Sequence, residues 1–146
     1  MLIRLHHQVS EFFNRFHSLG LLGLRLTIAI IFIQTGWGKL THLDQTTHYF
    51  IQLGLPFPYM NALMASATEF LAGLGILVGL LIRPAALGII GVMCVAIATA
   101  QWADVHDLNS FVGLQEWDYI VMAFILLVFG AGKYSLEHIL FKTVAK

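Results

Sequence analysis

Four long apolar runs dominate the chain, and short polar segments separate them. They lie at residues 19–40, 60–82, 84–102 and 114–131. A helix needs about 20 residues to cross roughly 30 Å of hydrocarbon, so each run is near spanning length. The pattern therefore predicts an all-α integral membrane four-helix bundle that forms a single domain over residues 1–146. The fourth run is the shortest, and we expect it to tilt little or to lie where the bilayer is thin.

A different pattern occupies residues 2–18, before the first long run. Apolar residues recur there at steps of three and four, with polar residues between them: Leu2, Leu5, Val9, Phe12 and Phe16. This spacing is typical of an amphipathic helix, and it predicts an interfacial helix in the cytoplasmic headgroup layer. The alternative is an ordinary helix packed into a cytoplasmic cap.

The composition agrees with a membrane protein. Of the 146 residues, 58% are hydrophobic and only 11% are charged, and the mean hydropathy is +0.80. Soluble globular domains carry about 25% charged residues. The formal net charge is zero, so charge gives no argument for nucleic acid as a partner.

Charge is unevenly placed along the chain. Six cations fall at one end of the predicted bundle: Arg4, Arg15, Arg83, Lys133, Lys142 and Lys146. Acids gather at the other end: Asp44, Asp104, Asp107, Glu116 and Asp118. By the positive-inside rule the basic end is cytoplasmic. We therefore expect a multi-pass protein of the bacterial cytoplasmic (inner) membrane with N-in/C-in topology.

Glu69 is the most unusual residue, because it lies inside the second apolar run. A charge at the centre of a spanning helix costs about 2.5–3.5 kcal/mol, so such a residue is a candidate for a functional site. At 1.5 Å of rise per residue, Glu69 lies between Arg25 and Lys39 in depth. We expect Arg25 to be its direct partner, because the guanidinium fork suits a carboxylate. Lys39 is expected to meet the outer acids Glu116 and Asp118.

Two interpretations of this polar group remain open. Arg25 and Glu69 could be a buried pair that fixes helix register and does no chemistry. Alternatively, Glu69 could handle protons or contact a cofactor, because a buried acid without a charged partner exchanges its proton more readily near neutral pH. The sequence does not separate these interpretations.

Other residues limit the chemistry. The chain has one cysteine, Cys94, which excludes an intrachain disulfide or a CxxC-type exchange, and we expect it to be buried and inert in a helix contact. The seven histidines form no HxxxH or HExxH pair, so no metal site is predicted. Two glycine pairs, Gly75 with Gly79 and Gly88 with Gly91, predict close helix packing.

Three motifs together resemble the DoxX family of small four-helix membrane proteins. The first run contains Arg25-x10-Gly36-x2-Lys39-Leu40. The second contains Glu69-x3-Gly73 and then Gly79-Leu80-x2-Arg83. Gly-Ala-Gly-Lys-Tyr-Ser-Leu-Glu follows the fourth run at residues 130–137, where family members often have Gly-Pro-Gly and an Asp after Ser-Leu.

The resemblance implies a function. Family members have been linked to quinone-dependent oxidation of sulfur compounds and to membrane redox-defence complexes. It therefore implies an oxidoreductase subunit of a quinone-linked membrane redox system that acts with a partner protein in the lipid bilayer. Quinone is the candidate cofactor. Glu69 and Arg25 would be the catalytic residues, and Lys39, Glu69 and Arg25 would bind the cofactor.

In this interpretation Glu69 handles the proton, Arg25 orients it, and Lys39 holds a polar group at the outer mouth. Two other classes of function compete with it. One is a non-catalytic scaffold or assembly subunit. The other is a pathway for small solutes or protons, for which four spans would have to form a homo-oligomer.

Overall fold

A computed structural model describes residues 2–137 and 139–140, with side chains from residue 16 onward. All regular structure in this part of the chain is helical, which confirms the predicted all-α class. The α-helices are α1 (Leu2–Thr41), α2 (Leu43–Gln52), α3 (Pro58–Val78), α4 (Ile82–Ala96), α5 (Leu108–Val112) and α6 (Gln115–Phe129). A π-helical turn, Ile97–Gln101, and a 3₁₀ turn, Trp102–Asp104, continue α4.

Four helices pack side by side around one apolar core. Helix α1 packs most extensively on α3, α3 packs on α4, α4 packs on α6, and α6 returns to α1. The largest core side chains are inaccessible: Ile28, Phe32, Ile76, Ile82, Ile89 and Leu126. Leu26, Leu71, Leu87 and Phe124 are apolar but exposed, as expected for helices whose outer faces contact lipid.

Three candidate spans are long and apolar enough to cross a membrane within the described chain. They are Phe16–Thr41, Pro58–Val78 and Ile82–Asp104. Helix α6 has only 15 residues and is about 22 Å long, whereas the hydrocarbon layer is about 30 Å thick. A fourth crossing by α6 and the cytoplasmic location of both termini therefore stay predictions.

Helix α1 is not divided at residue 18, where the sequence predicted a boundary between two helices. The structure has one continuous helix of 40 residues instead of an interfacial helix followed by a span. The chain has no proline between residues 2 and 41 to break the backbone hydrogen bonds. The side chains of residues 2–15 lie outside the described part, so the amphipathic placement of that segment stays a prediction.

The closest helix contact lies between α1 and α3. A methyl group on Gly36 would come within 2.5–2.9 Å of Phe70 on α3, and one on Gly73 would come within 2.9–3.0 Å of Ile33 on α1. Only glycine allows the two backbones to approach so closely. Two of the glycines that were expected to pack between helices differ from this pattern. A methyl group added to Gly91 would have nothing within 4 Å. Gly79 lies at the end of α3 and has φ +76°.

Candidate functional site

Glu69 and Lys39 form a salt bridge across the contact between α1 and α3. The Lys39 Nζ atom donates to Glu69 Oε1 at 2.6 Å. The Glu69 side chain is 1% exposed, whereas that of Lys39 is 40% exposed. The pair thus joins a buried carboxylate to a cation that reaches the surface. The predicted contact between Arg25 and Glu69 is wrong.

The direction of helical side chains explains this pairing. Side chains lean toward the N-terminus of their own helix. Lys39 therefore leans down α1 toward mid-depth, and Glu69 leans toward it because α3 runs in the opposite direction. Arg25 leans the same way as Lys39, which takes its guanidinium away from Glu69. The close approach at Gly36 keeps the two helices within reach of one lysine side chain.

Arg25 instead binds backbone carbonyl groups. Its Nε and Nη2 atoms donate to the carbonyl oxygens of Ile76 and Leu77 at 3.1 and 3.0 Å, at the C-terminal end of α3. Its Nη1 atom donates to Ala131 and Tyr134 at 3.0 and 2.6 Å, in the segment after α6. Carbonyls at a helix C-terminus lack helical partners and attract cations.

Arg25 therefore joins three parts of the chain: α1, the end of α3, and residues 130–137. The Glu137 amide also donates to the Gly79 carbonyl at 3.1 Å. A methyl group on Gly79 would collide with the guanidinium, so glycine provides the space. Three parts of the family motifs meet at this point: Arg25, Gly79 and residues 130–137. Arg25 thus connects these three parts of the chain, and its four hydrogen bonds go to backbone carbonyls and not to Glu69.

A cavity of about 840 Å³ adjoins the salt bridge, between α1, α2, α3, α4 and α6. Its polar lining includes Thr35, Lys39, Asn61, Glu69, Thr99, Gln101, Glu116 and Tyr119. Its apolar lining includes Phe32, Phe50, Leu53, Met64, Met93 and Val95. Arg25 is outside this lining. The cavity thus combines apolar walls with a few polar groups, as small-molecule sites do.

The cavity reaches the surface at more than one place, since Tyr49 of α2 is also a lining residue and exposed, and one opening lies between α3 and α4. Met64 on α3 and Val95 on α4 both line it, yet they are 62% and 54% exposed. A side chain that is both lining and exposed lies at a mouth. Both helices belong to candidate membrane spans, and the two side chains at this opening are apolar.

The π-helical turn supplies part of the cavity wall, and the hydrophobic pattern did not indicate it. It places Thr99, Ala100 and Gln101 in the lining. The Gln101 amide donates to Glu116 Oε1 at 3.0 Å. Single π-helical turns occur frequently at functional sites. Glu116 is therefore paired with Gln101, and the predicted contact of Lys39 with Glu116 or Asp118 is wrong.

Glu69 keeps one carboxylate oxygen without a partner. Oε1 is held by Lys39, but Oε2 is buried and accepts no hydrogen bond from any described residue. Buried polar atoms nearly always have a partner, so each exception needs an explanation. Glu69 lines the cavity, but Oε2 itself has almost no accessible surface, so a donor in that space would pair with it only after the carboxylate turns.

One further expectation, the burial of Cys94, can be compared with the structure. Cys94 is exposed on α4, so the expectation that it is buried is wrong; its position on the helix turns it outward. In the described residues no group of three or more His, Cys, Asp or Glu side chains could hold a metal ion. The His42 Nδ1 atom lies within hydrogen-bond distance of Thr41 Oγ1 and of the Gly38 carbonyl oxygen, at 3.1 and 3.0 Å.

The fold and the site define a small all-helical membrane protein with an ion pair beside an internal cavity. The chain belongs to the DoxX family, whose sequence pattern matches residues 20–102. It is 30% identical to inner membrane protein YqjF of Escherichia coli (strain K12) over 129 residues, which cover 88% of this chain and 98% of that protein.

A second relative from the same organism is inner membrane protein YphA. It is 36% identical over 66 residues, which cover 45% of this chain and 47% of that protein. No solved structure matches the chain.

Proposed function

We propose that the cavity binds a quinone-like amphiphile, and that the protein serves as a subunit of a quinone-linked membrane redox system. The observation that carries the proposal is the buried Glu69 carboxylate, with one oxygen unpaired, in the wall of a cavity that has an opening between two candidate membrane spans. A partner protein supplies or receives the electrons.

The residues present fit such a ligand. The volume of about 840 Å³ lies within the range of about 300–1,000 Å³ that is usual for small-molecule sites. Phe32, Phe50 and Met64 offer apolar surface to a ring and its tail, and Lys39 and Glu69 offer polar contacts to its oxygens. The mouth beside Val95 suits a molecule that enters from the hydrocarbon.

A quinone-type cofactor carries two electrons together with two protons, so its site needs a proton acceptor. Glu69 would accept a proton at Oε2 while Oε1 stays bonded to Lys39. The Lys39 ammonium is part exposed and would link this proton to water at that end of the bundle. Arg25 takes no part, because it lies outside the cavity lining and four of its five N–H donors bind backbone carbonyls.

The relatives' names extend the proposal to location. Both are called inner membrane proteins. We place this chain in a bacterial inner membrane, as a multi-pass protein with both termini in the cytoplasm.

The test is to purify the full chain in mild detergent and to quantify isoprenoid quinones in its lipid extract by mass spectrometry. We expect about one quinone per chain, and loss of it in Glu69→Gln at unchanged thermal stability. Asp118→Asn is the matched control, because Asp118 is an acid outside the cavity lining. A stable wild-type protein without quinone would contradict the proposal and favour the scaffold function.

A further inference from the structure

The Lys39–Glu69 pair offers a ligand two different contacts. The Lys39 ammonium has three donors, of which one is used by Glu69 Oε1. Glu69 Oε2 offers an acceptor without a described partner. A ligand oxygen next to the pair can accept from Lys39, and it can meet the acceptor Oε2 once the carboxylate turns, because this atom has almost no accessible surface as it stands.

Hydroxyl and carbonyl oxygens differ in how they can use this pair. A hydroxyl oxygen can accept from Lys39 and donate its own hydrogen to Glu69, whereas a carbonyl oxygen can only accept. A carbonyl ligand would leave the buried carboxylate oxygen unpaired, whereas a hydroxyl ligand would satisfy it. Lys39 does not distinguish the two ligands, so the discrimination comes from Glu69.

We propose that the cavity binds hydroxyl-bearing, reduced ligands of the quinol class in preference to the oxidised quinone. This inference rests on the proposed function, since it names the form of the ligand that the same site selects. Oε2 itself has almost no accessible surface, but the terminal torsion of a glutamate side chain is broad. The carboxylate can therefore turn this oxygen toward the cavity at small cost. No electron transfer is part of the inference.

Binding of matched ligands tests the preference. The full chain in lipid nanodiscs is equilibrated anaerobically with a decyl-substituted benzoquinone, its quinol, or the dimethyl ether of that quinol. Ligand bound to protein-free nanodiscs is subtracted. We expect the quinol to bind at least about tenfold more tightly than either of the other two, because sites built to bond a hydroxyl reject analogues that lack it.

Glu69→Gln should remove the preference. The variant lacks the charged acceptor to which a ligand hydroxyl would donate, so the quinol loses the bond that distinguishes it from the other two ligands. Asp118→Asn should leave the wild-type order unchanged. The wild-type comparison needs no variant, so it stays decisive even if Glu69→Gln fails to fold.

The outcomes separate the two proposals. If the quinone or the dimethyl ether binds as tightly as the quinol, the preference is overturned while the quinone-linked site stands. If none of the three ligands binds the folded chain, both proposals are overturned. Unchanged preference in folded Glu69→Gln would overturn the role of Glu69 in the selection.

Discussion

At the residue scale, the two members of the salt bridge differ in burial, so removing each should have a different effect on stability. Lys39→Met leaves a buried Glu69 that must take up a proton or stay an uncompensated charge. Breaking a fully buried pair costs about 3–5 kcal/mol, and the exposure of Lys39 reduces the expected loss to about 2 kcal/mol. Glu69→Gln leaves a lysine that can turn to water, so we expect a loss below about 1 kcal/mol.

Denaturant unfolding in mild detergent measures both variants. The double variant Lys39→Met/Glu69→Gln serves as the control and should recover most of the loss caused by Lys39→Met, because it removes the uncompensated charge. Equal losses in the two single variants would show that burial does not determine the effect of the pair.

Replacing Gly79 by alanine should lower stability more than replacing Gly54, which has a similar backbone conformation. Gly79 and Gly54 have φ values of +76° and +69°, but a methyl group would meet Arg25 and Ser135 only at Gly79. We expect Gly54→Ala to cost about 1 kcal/mol from backbone strain, and Gly79→Ala about 3 kcal/mol, because it also displaces the Arg25 guanidinium. Thermal unfolding of both variants in the same detergent measures the difference; equal melting temperatures would contradict the structural role of Arg25.

The sequence predicted which ionisable residues are buried but not how they pair. Arg25 and Glu69 are both 1% exposed, and Glu69 has a cationic partner as expected. Depth along the helices placed Glu69 between the two cations, and the guanidinium fork favoured Arg25. The direction of side chains in antiparallel helices could have favoured Lys39. The four carbonyl partners of Arg25 were not predictable, because they depend on how the chain folds back after α6.

At the element scale, the α1–α3 contact depends on Gly36. A methyl group there would lie within 2.5–2.9 Å of Phe70 and would force the helices apart, which costs about 2 kcal/mol by the usual effect of overpacking. Gly38 is the matched control on the same helix, because it has nothing within 4 Å. We expect Gly38→Ala to be neutral or slightly stabilising, since alanine favours helix. Equal stability of the two variants in denaturant unfolding would contradict this helix contact.

The stability of helix α5 should depend on pH through its N-cap residue, Asp107. The Ser110 amide donates to Asp107 Oδ1 at 2.7 Å, and this bond lowers the pKa of Asp107 below its usual 3.8. A carboxyl whose pKa is lower in the folded than in the unfolded state stabilises the fold at pH values above its unfolded pKa. This stabilisation is lost as the pH falls through the folded pKa. Hydrogen exchange of residues 108–113, corrected for intrinsic rates, should therefore accelerate below about pH 3.8.

Asp107→Asn is the control for this dependence, because asparagine caps a helix about as well without a titratable group. It should keep the protection of α5 nearly constant over the same pH range. Acceleration of the same size in the asparagine variant would assign the pH dependence to another group.

The helices themselves were predictable to different degrees. Long apolar runs indicated the candidate spans, and α3 begins within two residues of the expected start. The π-helical turn after Ala96 was not predictable, because a change in backbone hydrogen bonding leaves no periodic signal over five residues. Helix α6 is shorter than its apolar run because Gly130, with φ +73°, ends it.

At the scale of the whole molecule, charge and aromatic residues differ between the two ends. Asp44, Asp104 and Asp118 lie at the end that holds Lys39, and the exposed Trp37 and Trp102 lie there too. Arg83 and Lys133 lie at the opposite end. Basic residues stay in the cytoplasm, and tryptophan collects at the membrane surface. The proposed topology, with both termini in the cytoplasm, would therefore put the mouth of the cavity and the surface of Lys39 in the outer half.

The topology can be tested with single cysteines in a Cys94→Ala background, which removes the exposed native thiol. Asp44→Cys on α2 and Lys133→Cys after α6 replace exposed charged residues at opposite ends. In intact spheroplasts a membrane-impermeant maleimide should label Asp44→Cys, and Lys133→Cys only after the membrane is opened. Asp44 lies at the same end of the bundle as Lys39. The reverse labelling pattern would therefore place Lys39 on the cytoplasmic side. It would then reverse the direction of proton release that the proposed function assigns to the Lys39–Glu69 pair.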